Sequence, residues 1–202
     1  MVYLPEALAL LLLTHVIGDY ALQTDSIYKL KTTGGILGLA IHVAIHIVIT
    51  GMLLQLGFVR NWLLLSMLFL LHFTVDLAKL HVNTRYQFVA YVIDQIFHLG
   101  CILLLFWLFP QTQTLVPNEL LVPFLIYSLV PFLTMTIWVW YSEKQRVLRP
   151  DDEAILTRGF LGRMKWVSQV TALPLLIGAA AWIKFGGISL WEMVLTTFNT
   201  LG

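Results

Sequence analysis

Six apolar runs dominate the chain, near residues 5–22, 35–57, 61–80, 88–109, 119–141 and 166–184. Each approaches the roughly 20 residues a helix needs to cross about 30 Å of hydrocarbon. The pattern predicts an all-α polytopic membrane bundle of about six transmembrane helices. Four of the runs are broken by ionisable residues at helical spacing. His15 and Asp19 fall in the first, His42 and His46 in the second, His72 and Asp76 in the third, and Asp94 and His98 in the fourth. Steps of four residues place each pair on one face of a helix. Gln23 continues the first series and Lys79 the third.

The spans alternate in direction, so the depth of each pair tests whether the pairs meet. At 1.5 Å per residue, His15 and Asp19 lie about 10 and 5 Å from the cytoplasmic end of their span, and His42 and His46 about 10 and 16 Å. The corresponding depths are about 12 and 6 Å for His72 and Asp76, and about 9 and 15 Å for Asp94 and His98. All eight residues therefore share the cytoplasmic half of the bundle. Residues 1–109 are expected to form a four-helix core carrying this cluster. Residues 110–202 are expected to add two more spans and a short interfacial helix at 186–202, with Trp191 at the headgroup level.

Composition agrees with the pattern. The 202 residues are 59% hydrophobic and 11% charged, whereas soluble domains carry about 25% charged residues. No nucleic-acid partner is expected. The single cysteine, Cys101, forms no internal disulfide and reads as a small buried hydrophobe. The start, MVYLPEAL, lacks the basic region of a cleavable signal, so the first run is kept as a span.

Lysine and arginine set the orientation. The connection at 142–165 holds Lys144, Arg146, Arg149, Arg158, Arg163 and Lys165, which places it in the cytoplasm. Counting back places Lys29, Lys31, Lys79 and Arg85 inside and both termini outside. This predicts a multi-pass protein of the inner (plasma) membrane. Pro150 followed by Asp151, Asp152 and Glu153 marks a helix start in the connection. Its later basic and apolar residues suit contact with anionic lipid. Trp62, Trp107, Trp138, Trp140, Trp166 and Trp182 fall near span ends, as an aromatic belt does.

The buried chemistry follows from cost. An Asp at mid-membrane carries about 2.5–3.5 kcal/mol on insertion scales, so three of them with five histidines require mutual pairing or a cation. Imidazoles and carboxylates on facing helices are how bundle cores hold metals. The donors suit zinc, iron or manganese, as one or two divalent ions. The main ligands are expected to be His15, His42, His46, His72 and Asp76, with His98 completing the site. Asp19 and Asp94 are expected to complete the site or to act as general base and ligand orienters, and with Lys79 they are the candidate catalytic residues. Lys79 stands at the mouth, and Lys31 and Gln23 are placed to meet an anionic substrate headgroup.

At these residues the chain resembles an uncharacterised bacterial family of polytopic membrane proteins, a domain of unknown function (DUF3307). The resemblance rests on H-x-x-G-D-x-x-x-Q at His15 to Gln23, Lys31, His42 with His46, H-x-x-x-D-x-x-K at His72 to Lys79, and D-Q-x-x-H at Asp94 to His98. It covers residues 10–105 and implies the bacterial inner membrane without implying an activity. A looser likeness is to bacterial membrane proteins labelled metal-dependent hydrolases. The expected function is accordingly a metal-dependent membrane hydrolase acting on a lipid-linked or amphipathic substrate. Alternatives are a metal-ion or proton-coupled transporter, a di-iron or haem redox protein, and a structural polar network. No HExxH is present, and an Asp19–Asp76 aspartyl dyad leaves the five histidines without a role.

Overall fold

The computed structural model describes residues 5–81, 87–116 and 118–148. The expected span at 166–184, the helix at 186–202, Arg85 and most of the basic connection lie outside these residues. Those described are helical apart from short turns and one isolated bridge. The all-α expectation therefore holds.

The helices are α1 (Glu6–Val16), α2 (Asp25–Thr33), α3 (Gly35–Leu53), α4 (Gly57–Arg60), α5 (Trp62–His81), α6 (Gln87–Leu108) and α7 (Asn118–Leu148). A π-helical turn at Ile17–Ala21 extends α1. Among the described residues, three helices are long and apolar enough to cross a membrane: α3, α5 and the Phe88–Leu108 part of α6. Their outward faces expose Leu37, Val48, Met52, Leu70, Phe97 and Leu103. A helix apolar outside as well as inside fits lipid rather than water. Trp62 and Trp107 project outward from the same end of the bundle, at 63% and 74% exposure.

α1 is the central element. It packs against α3, α6 and α7, and Ala7, Ala9, Leu10, Leu11, Leu13, Thr14, His15 and Val16 are all buried. Its 11 residues and the 5 of the π turn reach about 24 Å at 1.5 Å per residue. That is shorter than the span expected at 5–22. A helix enclosed by its neighbours has no need to match the hydrocarbon thickness.

At one end, Ala9, Leu10, Leu13, Leu53, Leu54, Leu64, Leu65 and Val116 form a dry core. The connection between α6 and α7 is strapped there to the end of α3. Leu115 N donates to Leu53 O at 2.7 Å, Gln55 N to Gln113 O at 3.1 Å, and the Thr114 hydroxyl to Leu53 O at 3.0 Å. Close to the opposite end lie the polar pairs.

α2 is an addition to the expected topology, folded back onto α3 within the first connection. Thr24 starts it, its hydroxyl accepting from Ile27 N at 3.3 Å. Gly38 lets it approach, since a methyl there would overlap the Leu30 carbonyl. Thr24→Ala should cost about 1 kcal/mol of α2 stability. Hydrogen exchange confined to residues 25–33 would register it, and unchanged protection there would contradict the capping role.

Candidate metal centre

The site is assembled by four helices and the π turn. In that turn Leu22 N donates to Ile17 O at 2.8 Å, the wider i→i+5 bond. Isolated π turns occur often at functional sites, because the extra residue per turn re-aims a side chain. Here it carries Asp19 to the middle of the cluster. Gly18 makes room on the same turn, where a Cβ would overlap the His46 ring.

Three imidazoles converge on one Asp19 oxygen. His42 Nε2 stands 3.2 Å, His46 Nε2 3.1 Å and His72 Nε2 3.6 Å from Oδ1. His15 Nε2 is 3.7 Å from Oδ2. His42 and His46 are within hydrogen-bonding distance and use both lone pairs of Oδ1, which leaves His72 Nε2 without a hydrogen-bond partner. By contrast, two donors each about 2.1 Å from a tetrahedral ion stand about 3.4 Å apart. The observed spacings lie around that value. Asp19, His42, His46 and His72 offer ligand atoms all within 4.8 Å of one another, and so do His15, Asp19 and His98 and also His72, Asp76 and His98. All of these residues are buried, His15 least so at 9% exposure.

The second carboxylate, Asp76, is fully buried. Its Oδ2 lies 3.4 Å from both His42 Nε2 and His72 Nε2, and its Oδ1 3.9 Å from His98 Nε2. Lys31 Nζ is 2.5 Å from the same Oδ1. Lys31 was expected at the rim facing a headgroup, and the structure buries it at 7% exposure. The reason is α2, which turns the base of the first connection inward. Gln23 is half-buried where the chain leaves the π turn.

Asp94 stands behind the cluster. Its Oδ2 accepts from Lys79 at 2.6 Å and from Gln95 at 3.0 Å. His98 Nδ1 donates to the Asp94 backbone carbonyl at 2.9 Å. That bond leaves Nε2 free to face the cluster, as second partners of metal-bound imidazoles do. Lys79, expected at the mouth, is thus engaged with Asp94 while remaining partly exposed.

Among the described residues, seven buried side-chain atoms have no hydrogen-bond partner; besides Thr50 Oγ1, Asp94 Oδ1 and Ser142 Oγ these are four imidazole and carboxylate atoms, His42 Nδ1, His72 Nε2, Asp76 Oδ2 and His98 Nε2. Orphaned polar atoms are rare in folded interiors and call for an explanation. Three of the four point into the cluster, which fits a divalent cation between them. Beside the rings lies a small cavity lined by His15, His46, His72 and His98 together with Leu68, Cys101, Ile102 and other apolar residues.

A polar chain invisible in the sequence runs from the π turn to α7. The Tyr20 and Tyr91 hydroxyls are 2.9 Å apart, and Tyr91 meets Thr136 Oγ1 at 3.0 Å. The Glu143 carboxylate of α7 accepts from Phe88 N and so caps the start of α6. Helical spacing carries no signal for such links, since each joins residues 45–71 positions apart.

The family model described as "Protein of unknown function (DUF3307)" matches residues 7–122. That stretch contains every cluster residue and Lys31. Among curated proteins and solved structures, none matches the chain.

Proposed function

We propose that the chain, which belongs to the DUF3307 family of proteins of unknown function, is a membrane metalloprotein that hydrolyses a lipid-linked or amphipathic substrate. One observation carries the metal reading. Of the three buried carboxylates, Asp76 is paired with Lys31 and Asp94 with Lys79, whereas the ion pairs of Asp19 are with imidazoles alone. A buried carboxylate without a counter-cation is costly by several kcal/mol. Asp19 with His42, His46 and His72 is the place for a divalent ion, zinc, manganese or iron.

Once bound, such an ion polarises a phosphoryl or acyl oxygen and lowers the pKa of a water. The residues of the chain do the rest. His15 and His98 flank the ion's position from α1 and α6. Asp94 fixes the His98 tautomer through its carbonyl, and Lys79 holds Asp94 in place. Exposed Lys29 marks the end at which an anionic headgroup would arrive, together with Gln23. The opposite end, with its dry core and backbone strap, supports an enzyme open at one side over a transporter with a continuous path.

The test uses protein purified in lipid nanodiscs. Elemental analysis is expected to find about one divalent ion per chain, and His42→Ala/His46→Ala to lose nearly all of it. Long-chain p-nitrophenyl esters and phosphodiesters should be turned over by the wild type and not by the double variant. Equal, substoichiometric metal in both proteins would sink the metal reading. Full metal without turnover of either substrate class would sink the hydrolase reading alone.

A further inference from the structure

The three carboxylates pose a question that the ion at Asp19 does not answer: why a lysine is brought into the cluster at all. Lys31 comes from outside the four core helices, on a short helix held to α3 by the close approach at Gly38. Its ammonium is 2.5 Å from Asp76 Oδ1, with 7% residue exposure on one side and none on the other. Burying a lysine this deeply sacrifices the hydration of a strongly hydrated point charge. The return is neutralisation of a carboxylate that no water reaches.

Asp76 is nevertheless surrounded as a ligand is. His72, Asp76 and His98 place three donor atoms within 4.8 Å of one another. The Asp76 Oδ2 and the Nε2 atoms of His72 and His98 have no hydrogen-bond partners. Donors of this kind with unused lone pairs suit a divalent ion of the transition series. The ammonium lies on the one oxygen of Asp76 that faces His98.

We propose that the Lys31 ammonium fills the second of two cation positions in the cluster, so that Asp76 is served by a tethered lysine where Asp19 is served by a divalent ion. The inference rests on the metal reading of Asp19 and extends it. The cluster is built with the donors of a two-ion centre and restricted to one ion by its own chain. Removing the ammonium while keeping the fold leaves Asp76 buried without a counter-charge, and a second divalent ion restores it: the single lone pair of His72 Nε2 then passes to this ion with Asp76 and His98, and the first keeps Asp19, His42 and His46. Chains of the same fold with a neutral residue at this position would hold two ions.

The experiment measures bound Zn²⁺, and separately Co²⁺, per chain in nanodisc-embedded protein after equilibration with the metal and removal of excess. The wild type is expected to hold one equivalent and Lys31→Met two. Lys31→Arg should keep one, because a cation is retained. Lys31→Met/His98→Ala should return to one, because the second position loses a ligand. Two equivalents in the wild type overturn the proposal. So does a single equivalent in Lys31→Met, with a new protonated-carboxyl infrared band showing that Asp76 takes a proton instead. No metal in any of these proteins overturns this proposal and the reading of Asp19 together. No metal in the wild type with one equivalent in Lys31→Met overturns the reading of Asp19 alone. If Lys31→Met does not fold, Lys31→Gln replaces it, and the wild-type count still separates one ion from two.

Discussion

Asp19→Asn should reduce metal affinity at least about 100-fold while leaving a folded bundle. Loss of groups that merely orient metal ligands already costs 10–100-fold, and Asp19 is in contact with four imidazoles at 3.1–3.7 Å. The substitution keeps the shape and removes the charge, so loss of metal would report electrostatics rather than packing. The sign of the stability change is informative as well. In metal-free protein the neutral amide removes an uncompensated buried charge, so the variant should unfold at a temperature equal to or above that of the metal-free wild type. In metal-loaded protein the order should reverse, since only the wild type is stabilised by the bound ion. Thermal unfolding with and without chelator measures both. An unchanged affinity would show that Asp19 is part of a hydrogen-bonded network and not a ligand.

The second large effect is expected at Gly18. A methyl there overlaps the His46 ring at Cε1, Nδ1 and Nε2 together. The ring cannot simply swing away, because it is buried and packed against the tilted His72 ring, with centroids 4.0 Å apart. Forcing atoms into a filled site costs about 1–3 kcal/mol. Gly18→Ala should therefore destabilise the protein by that amount and also displace His46 from Asp19, weakening metal binding at least tenfold. Gly100 is a control on α6, since a Cβ there meets nothing within 4 Å. Gly100→Ala should leave both quantities unchanged or slightly raise helix stability. Equal behaviour of the two variants in metal titration and thermal unfolding would remove Gly18 from the account.

The cluster was legible in the sequence because its signal is periodic. His42 with His46, or His72 with Asp76, requires only the four-residue step and a lipid-like background to be noticed. The alternating direction of the spans then brings the pairs to one depth, and the structure brings all five histidines together with Asp19 and Asp76. The finer assignments were not legible. Asp19 reads from the sequence as completing the site or as a base or orienter, and the π turn that sets it among the candidate ligand atoms leaves no mark in composition. Lys31 reads as a rim residue from its position in a connection. Only the capped helix α2 and the tight crossing at Gly38 turn it inward. Lys79 and Asp94 each appear singly in the sequence, whereas their pairing across 15 residues depends on how α5 and α6 lie together. Pairings of this kind decide which carboxylate lacks a lysine partner, so the sequence alone could identify the candidate donors without ranking them.

The strap between the end of α3 and residues 113–115 has a consequence for how the bundle breathes. Three hydrogen bonds and a dry leucine core fasten that end, whereas α2 at the other end packs on α3 with Ser26, Tyr28, Lys29 and Leu30 exposed. Local opening follows the weakest fastening. Amide exchange should therefore run as a gradient along the helix axes, slow at Leu53 and Leu115 and fast through Ser26 to Leu30. Ions and solvent would gain entry by the undocking of one nine-residue helix, with the rest of the bundle acting as a stationary frame.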